Sequence, residues 1–169
     1  MATECERKFI VDHLPDAATL GEGLRLRQGY LAEDNGVELR VRITSPTGVP
    51  TRGLGAAGAE QATLTVKAGG GLSRTEVEAT IPAVEAEELW PHTMGRRIEK
   101  IRHRVPLGAN TAEVDVFEGA LSGLVVVEVE FESEAAAGEF APPAWFGREL
   151  TGRPEWSNSS LARRGLPEA

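Results

Sequence analysis

Cysteine is nearly absent from this chain. Cys5 stands alone among 169 residues, which excludes an internal disulfide framework and a cysteine-rich zinc site. Histidine is scarce too: His13, His92 and His103 lie far apart with no helical or strand-spaced pair, so a histidine metal centre is not expected. No apolar run approaches the length of a membrane span. The N-terminus also lacks the basic-then-apolar pattern of a signal peptide. Together these absences predict a cytoplasmic protein with no membrane partner. A basic surplus is missing as well, since the net charge is −8, and this argues against a nucleic-acid partner. It does not argue against a small phosphate ligand, because inward lysines and arginines can be masked in the sum by an acidic surface. A hydrophobic fraction of 41% with 26% charged residues is ordinary for a globular protein, and the length fits one domain over 1–169.

What is present is a series of short alternating segments separated by Gly, Pro, Asn and Asp clusters, the pattern of an antiparallel barrel or sandwich. The spacing predicts strands over 3–12, 24–32, 37–45, 62–68, 74–81, 97–105, 112–118 and 124–133. Helices are few. Asp12-His13-Leu14-Pro15-Asp16 reads as a helix start, with Pro15 or Asp16 near the cap. Pro82 to Trp90 reads as a helix opened by a proline and acidic in its first turns. Ser157 to Arg164 reads as a capped short helix that Gly165 ends. Residues 46–61 form a long Gly/Ala/Thr/Pro-rich connection. Within it, Gly53-Leu54-Gly55-Ala56-Ala57-Gly58 matches the dinucleotide-binding fingerprint in letters only. That motif works after a strand and at the start of a helix, whereas here a strand-like segment follows and no βαβ alternation exists. A hairpin tip fits better. No Walker-type loop occurs either, so phosphate binding would rest on side chains.

Period-two geometry sorts each strand into two faces. One face collects Glu4, Glu6 and Lys8; Arg40 and Arg42; Thr63, Thr65 and Lys67; Arg74, Glu76 and Glu78; Lys100, Arg102 and Arg104; Glu113, Asp115 and Phe117; and Val126, Glu128, Glu130 and Glu132. The other face is apolar, with Val41, Ile43, Leu64, Ile101, Val114, Val127 and Val129 among its members. Two arrangements produce this alternation: an antiparallel sheet with one wet face, or a closed sheet with the charges inside. Segregation of charge sign by strand speaks for the second, few covering helices for neither. Alternation alone does not choose between them.

Taken in order, the segments resemble the CYTH, or triphosphate tunnel metalloenzyme, family. Glu4-x-Glu6-x-Lys8 stands at the very start of the chain, followed by Gln28-Gly29-Tyr30-Leu31, Arg40-x-Arg42 and Thr65-Val66-Lys67. Then come Glu76-x-Glu78, Lys100-Ile101-Arg102, Glu113-Val114-Asp115-Val116-Phe117 and Glu128-Val129-Glu130. The tail, with Trp145 to Thr151 and Asn158 to Ala162, is similar to the short bacterial members. His103 and Trp156 stand where tyrosines are common in the family, and the 46–61 connection is longer than usual; His103 should point outward, opposite Lys100 and Arg102.

The resemblance implies a mainly β fold: a closed eight-stranded antiparallel barrel, or tunnel, with a charged lumen and a few peripheral helices. It implies Lys8 and Tyr30 as catalytic residues, with Lys8 the base or water-orienting group. Arg40, Arg42, Lys67, Lys100 and Arg102 would bind substrate, and Glu4, Glu6, Glu128 and Glu130 would hold Mg²⁺ or Mn²⁺. Glu76, Glu78 and Asp115 would orient the basic residues or complete a second metal site. The chemistry is coherent, because guanidinium forks and ammonium groups match phosphate oxygens and hard cations take carboxylate ligands. The implied activity is hydrolysis of the terminal phosphoanhydride of inorganic tripolyphosphate or a related triphosphate. Alternatives on the same scaffold are cyclisation of ATP to cyclic AMP and pyrophosphate, as in class IV adenylate cyclases, thiamine triphosphate hydrolysis, and polyphosphate or nucleotide binding without turnover. No motif announces an adenine pocket, and 5% aromatic residues give thiamine rings few stacking partners. A homodimer is a further expectation, from the family and from outward apolar strand residues.

Overall fold

The computed structural model describes residues 5–47, 60–68 and 75–168. Eight antiparallel strands form one sheet: β1 (Cys5–Ile10), β2 (Gly23–Asp34), β3 (Val37–Pro46), β4 (Gln61–Ala68), β5 (Thr75–Ile81), β6 (Arg97–Leu107), β7 (Asn110–Phe117) and β8 (Val125–Phe131). Their spatial order is β1-β8-β7-β6-β2-β3-β4-β5. Each predicted strand is present, with ends no more than two residues from those expected. Helices α1 (Ala17–Leu20), α2 (Ala83–Leu89), α3 (Glu134–Glu139) and α4 (Asn158–Arg164) are peripheral. Asp16 caps α1 by accepting from the Thr19 N–H, and Ser157 caps α4 by accepting from the Ser160 N–H.

The ladder register carries one set of side chains across the whole sheet. Lys8 faces Glu128, Glu128 faces Glu113, and Glu113 faces Arg104. Arg102 faces Asp115 and Leu24; Lys100 faces Phe117 and Leu26. Gln28 faces Arg42, and Arg42 faces Thr63; Tyr30 faces Arg40, Arg40 faces Thr65, and Thr65 faces Glu78. Directly opposed residues share a face, so the charged faces of seven strands coincide with one another and with the uncharged Leu24–Tyr30 face of β2.

The opposite face is apolar and covered in two places. Val41, Ile43 and Ala62 pack against Ala86 and Trp90 from α2 and the 3-10 turn Trp90–Thr93 that follows it. Phe9, Val105, Val114, Val127, Val129 and Phe131 pack against Ala137 of α3 and Phe146. Conventional hydrophobic packing therefore stands behind the charges. The sheet curls about the charged face, where Lys100, Asp115 and Thr65 are buried as deeply as core valines.

Two features depart from the sequence-based expectation. The sheet is not a continuous closed ladder among the described residues: β1 and β5 are its edges. The outer edge of β1 is already used, because Gly147 and Leu150 donate to the Ile10 and Lys8 carbonyls, and Ile10 donates to the Arg148 carbonyl. Gly147 permits this approach, since an added Cβ would lie 2.9 Å from the Ile10 carbonyl oxygen. In addition, the inner face is not charged along its whole length. Ile98, Phe117 and Val126 carry it into an apolar plug with Leu121, Leu150, Trp156 and Leu161. The fingerprint-like glycines 53–58, and with them most of the 46–61 connection, lie outside the described residues, as does Arg74.

Gly29 shows how the outer layer sets the inner one. A Cβ there would fall 2.5 Å from Thr93 Oγ1. Thr93 is fully buried; its hydroxyl donates to the Trp90 carbonyl (2.7 Å) and accepts from Arg97 Nε (2.8 Å). The guanidinium groups of Arg27 and Arg97 in turn lie over the Trp90 ring, at 4.4 and 4.6 Å. Gly29→Ala should therefore cost about 1–3 kcal/mol, read as a lower urea midpoint. An unchanged midpoint would show that the 3-10 turn is not held against β2.

Candidate functional site

The inner face carries two walls of charge joined by an uncharged strand. On the first wall, Lys100 and Asp115 are almost completely buried. Lys100 Nζ donates to Asp115 Oδ2 at 2.5 Å, and Arg102 donates to both Asp115 oxygens at 2.7 Å, a bidentate fork. Arg102 also pairs with Glu113 and reaches Glu128 at 3.4 Å. Glu128 closes the chain of contacts on Lys8 at 2.9 Å. On the second wall, Arg40 and Arg42 approach Glu78 at 3.7 and 3.0 Å, and Thr65 bridges Arg40 to Glu78. Lys67 pairs with Glu76 at 2.9 Å. Strand β2 lies between the walls and contributes only Leu24, Leu26, Gln28 and Tyr30 to this face.

Removing ions from water costs several kcal/mol each unless they are paired, and these pairings show in the acid–base properties. Burial drags the Asp115 carboxyl upward, but Lys100 and Arg102 outweigh it and hold it at about 2. Burial likewise opposes, and Lys8 and Lys100 overcome, so that Glu128 stays below the usual carboxylate range. Lys100 is pushed down to about 8, by burial first and against the attraction of Asp115. Burial, then Arg40, lower Arg42; the same group senses Arg102 on β6 and Glu113 on β7, across the curl of the sheet. Burial raises the Tyr30 hydroxyl well above its ordinary value, against the pull of Arg40, so Tyr30 is a neutral phenol at any physiological pH.

All the predicted site residues within the described chain lie on this face. Glu4 lies outside the described residues. Glu6 sits opposite Glu130 across β1 and β8, one step along from the Lys8–Glu128 pair. Lys8 and Tyr30 have separate surroundings: Lys8 contacts Glu128, while Tyr30 lies beside Arg40 and beneath the Arg163 guanidinium of α4, 5.9 Å from its ring. Each proposed orienting carboxylate, Glu76, Glu78 and Asp115, contacts a cation. His103 lies on the outer face, 3.2 Å from the Gly21 carbonyl. Four further residues join the site. Glu113 and Thr65 were visible in the alternation but carried no assigned role. Asn158 Oδ1 accepts from Lys100 Nζ at 3.4 Å, and Thr151 Oγ1 accepts from the Lys8 N–H at 3.0 Å. Both come from the C-terminal segment, which no local pattern links to β1 or β6.

Where the first wall ends, Arg104, Asn110, Thr111, Glu113, Glu128 and Glu130 line a cleft of about 640 Å³. No group of three or more His, Cys, Asp or Glu side chains is arranged to hold a metal among the described residues. The donor set nonetheless fits a hard cation, because Mg²⁺ takes one or two carboxylates and completes its shell with water and substrate phosphate. No helix among the described residues is long and apolar enough to cross a membrane.

A curled face of paired cations and carboxylates defines a protein that binds a small anion rich in acceptor oxygens. No family model matches the chain. It is 44% identical over 166 residues to an inorganic triphosphatase of Nitrosomonas europaea, covering 95% of this chain and 97% of that protein. It is 38% identical over 166 residues to an inorganic triphosphatase of Acetivibrio thermocellus, covering 96% and 95%. The crystal structure of the inorganic triphosphatase NE1496 aligns with a TM-score of 0.69 at 39% identity, covering 99% of each chain. The chain belongs to the inorganic triphosphatase family, the short bacterial type of triphosphate tunnel metalloenzyme.

The Asp115 cluster sets an acid limit. Its carboxyl lies below the ordinary value of 3.8, so its contribution to stability is complete above about pH 4. That contribution fades as the pH falls toward about 2, by about 1.4 kcal/mol per unit. Urea midpoints should drop across this window. Asp115→Asn, which leaves Lys100 buried without its counter-ion, should cost about 3–5 kcal/mol at neutral pH and flatten the acid limb. A wild-type acid limb in that variant would assign the transition to other carboxylates.

Proposed function

We propose that this chain hydrolyses the terminal phosphoanhydride of inorganic tripolyphosphate, releasing orthophosphate and pyrophosphate, with Mg²⁺ or Mn²⁺ as cofactor. The observation that carries the reading is the sharing of one curled face by Lys8, Arg40, Arg42, Lys67, Lys100 and Arg102, each within reach of a carboxylate. Family membership supports it, since the relatives at 44% and 38% identity are named inorganic triphosphatases. The walls β1-β8-β7-β6 and β3-β4-β5 would act as the two sides of a tunnel, with β2 as its floor.

Arg40, Arg42 and Arg102 would fork onto phosphate oxygens, and Lys67 and Lys100 would add point charges. Glu76, Glu78 and Asp115 hold these cations in place before substrate arrives, so little reorganisation remains for the reaction itself. Glu128 and Glu130, with Glu6 and Glu4, would hold the divalent ion, directly or through water. Bound there, such an ion supplies neutralisation of charge on the transferring and leaving phosphates. A water attacks the terminal phosphorus, the bond to the bridging oxygen breaks, and pyrophosphate leaves with that oxygen. Lys8, an ammonium paired with Glu128, would donate to this water and orient it, and the water's proton would pass to a phosphate oxygen. Its backbone is held for the task by Thr151 and Leu150, which bond its N–H and its carbonyl. Tyr30, neutral and buried, would act as a hydrogen-bonding group and not as a phenolate.

The test is to incubate the protein with tripolyphosphate or ATP plus Mg²⁺ or Mn²⁺ and to measure orthophosphate, pyrophosphate and cyclic AMP. Orthophosphate from tripolyphosphate without cyclic AMP is expected. Cyclic AMP with pyrophosphate would assign a cyclase instead, and no product would leave a binding module. Lys8→Ala should lower kcat by at least about 100-fold while divalent-ion binding persists; a wild-type rate would remove Lys8 from the mechanism. Glu128→Gln with Glu130→Gln should weaken the metal dependence, and an unchanged metal titration would move the ion elsewhere.

A further inference from the structure

The inner face holds three buried polar atoms without a well-formed hydrogen bond: Gln28 Nε2, Arg40 Nε and Thr63 Oγ1. The Gln28 and Arg40 side chains approach the buried, neutral Tyr30 hydroxyl, a single oxygen that leaves most of their donor capacity unused. Gln28 faces Arg42 across β2 and β3, and Arg42 faces Thr63 across β3 and β4; Arg40 is two residues along β3, on the same face. Gln28 is 1% exposed and Arg40 6% exposed. Around them the other polar groups are paired: Arg42 with Glu78, and Thr65 with both Arg40 and Glu78. Unsatisfied buried donors are rare in folded proteins and each costs about 1–3 kcal/mol. Three on one face, with Gln28 and Thr63 flanking β3 and its arginines beside a well-satisfied network, mark a place where something else supplies the acceptors.

The chemistry of the three atoms says what that is. The amide nitrogen and the guanidinium nitrogen only donate, and a hydroxyl can donate. A divalent cation has nothing to gain there, and an apolar group would leave the donors as they are. A phosphoryl group offers non-bridging oxygens that only accept, and it carries the charge that strengthens such bonds. The arginines flank the site, so an anion is favoured over a neutral carbonyl compound.

We propose that Gln28 and Thr63, with Arg40 Nε, form a subsite of hydrogen-bond donors for one phosphoryl group of the polyphosphate, on β2, β3 and β4 and away from the carboxylates of β1 and β8. The proposal rests on the tripolyphosphate reading and deepens it, adding two uncharged residues to the substrate contacts. Uncharged donors bind oxygens here without adding to the repulsion among Arg40, Arg42 and Arg102 in the empty protein.

This arrangement has a signature that a structural role lacks. Gln28→Met keeps the volume and removes the orphaned donors; Thr63→Val keeps the shape and removes the hydroxyl. Both variants should melt at or above the wild-type temperature without ligand, because each sheds an unsatisfied group. Both should lose much of the thermal stabilisation that tripolyphosphate gives the wild type, and KM should rise about tenfold, more than kcat falls. A lower ligand-free melting temperature in both variants would show that the donors are already satisfied in the free protein and would overturn the subsite. Unchanged KM in both, with hydrolysis intact, would overturn it while leaving the triphosphatase reading in place. Tripolyphosphate stabilisation that shrinks in the variants, without phosphate release by the wild type, would end the hydrolase reading and uphold the subsite.

Discussion

Asp115 is the constraint on which the inner face depends. It is a carboxylate placed where water hardly reaches, and Lys100 and Arg102 both close on it. Without it, an ammonium and a guanidinium would stand together in a low-dielectric space, an arrangement that costs several kcal/mol. With it, the cluster is ionic yet balanced, and it points two cations in fixed directions. Glu78 repeats the device for Arg40 and Arg42, and Glu76 for Lys67. Each wall is thereby charged before any anion arrives. A phosphate chain entering between the walls would meet donors already oriented, which is how a fixed polar site outperforms mobile water.

That inner face is possible only because the hydrophobic work is done elsewhere. The valines and phenylalanines of the other face pack under α2, α3 and the segment around Phe146. The plug built on Phe117, Val126, Leu150, Trp156 and Leu161 closes one end of the inner face with apolar contacts. The C-terminal segment serves both layers. Leu150 and Leu161 belong to the plug, while Thr151 and Asn158 bond Lys8 and Lys100. Stability and site geometry are thus coupled through the last part of the chain, far in sequence from the strands it steadies.

Much of this was legible in the sequence, for a physical reason. Side chains alternate strictly along a strand, so the face that Arg40, Arg42, Lys100, Arg102 and Glu128 share follows once the strands are located. The tight turns made location easy: Asn35-Gly36 between β2 and β3 takes positive φ at both residues, as a two-residue hairpin requires. Helix α3 was not foreseen, because Ala135-Ala136-Ala137-Gly138 carries no apolar period and only the Ser133 cap announces it. The apolar plug was missed because Ile98, Phe117 and Val126 obey the same alternation as the charges beside them. The closed ladder was expected from the family resemblance, whereas the edge of β1 is bonded to residues 147–151. Contacts between segments so distant in the chain leave no periodic trace.

The most direct measurement is a crystal structure with tripolyphosphate bound. The account predicts phosphates between the two walls, touching Arg40, Arg42 and Arg102, with the outer apolar face untouched. A ligand seated on that outer face, or at a surface site leaving Asp115 and its two cations unapproached, would contradict it.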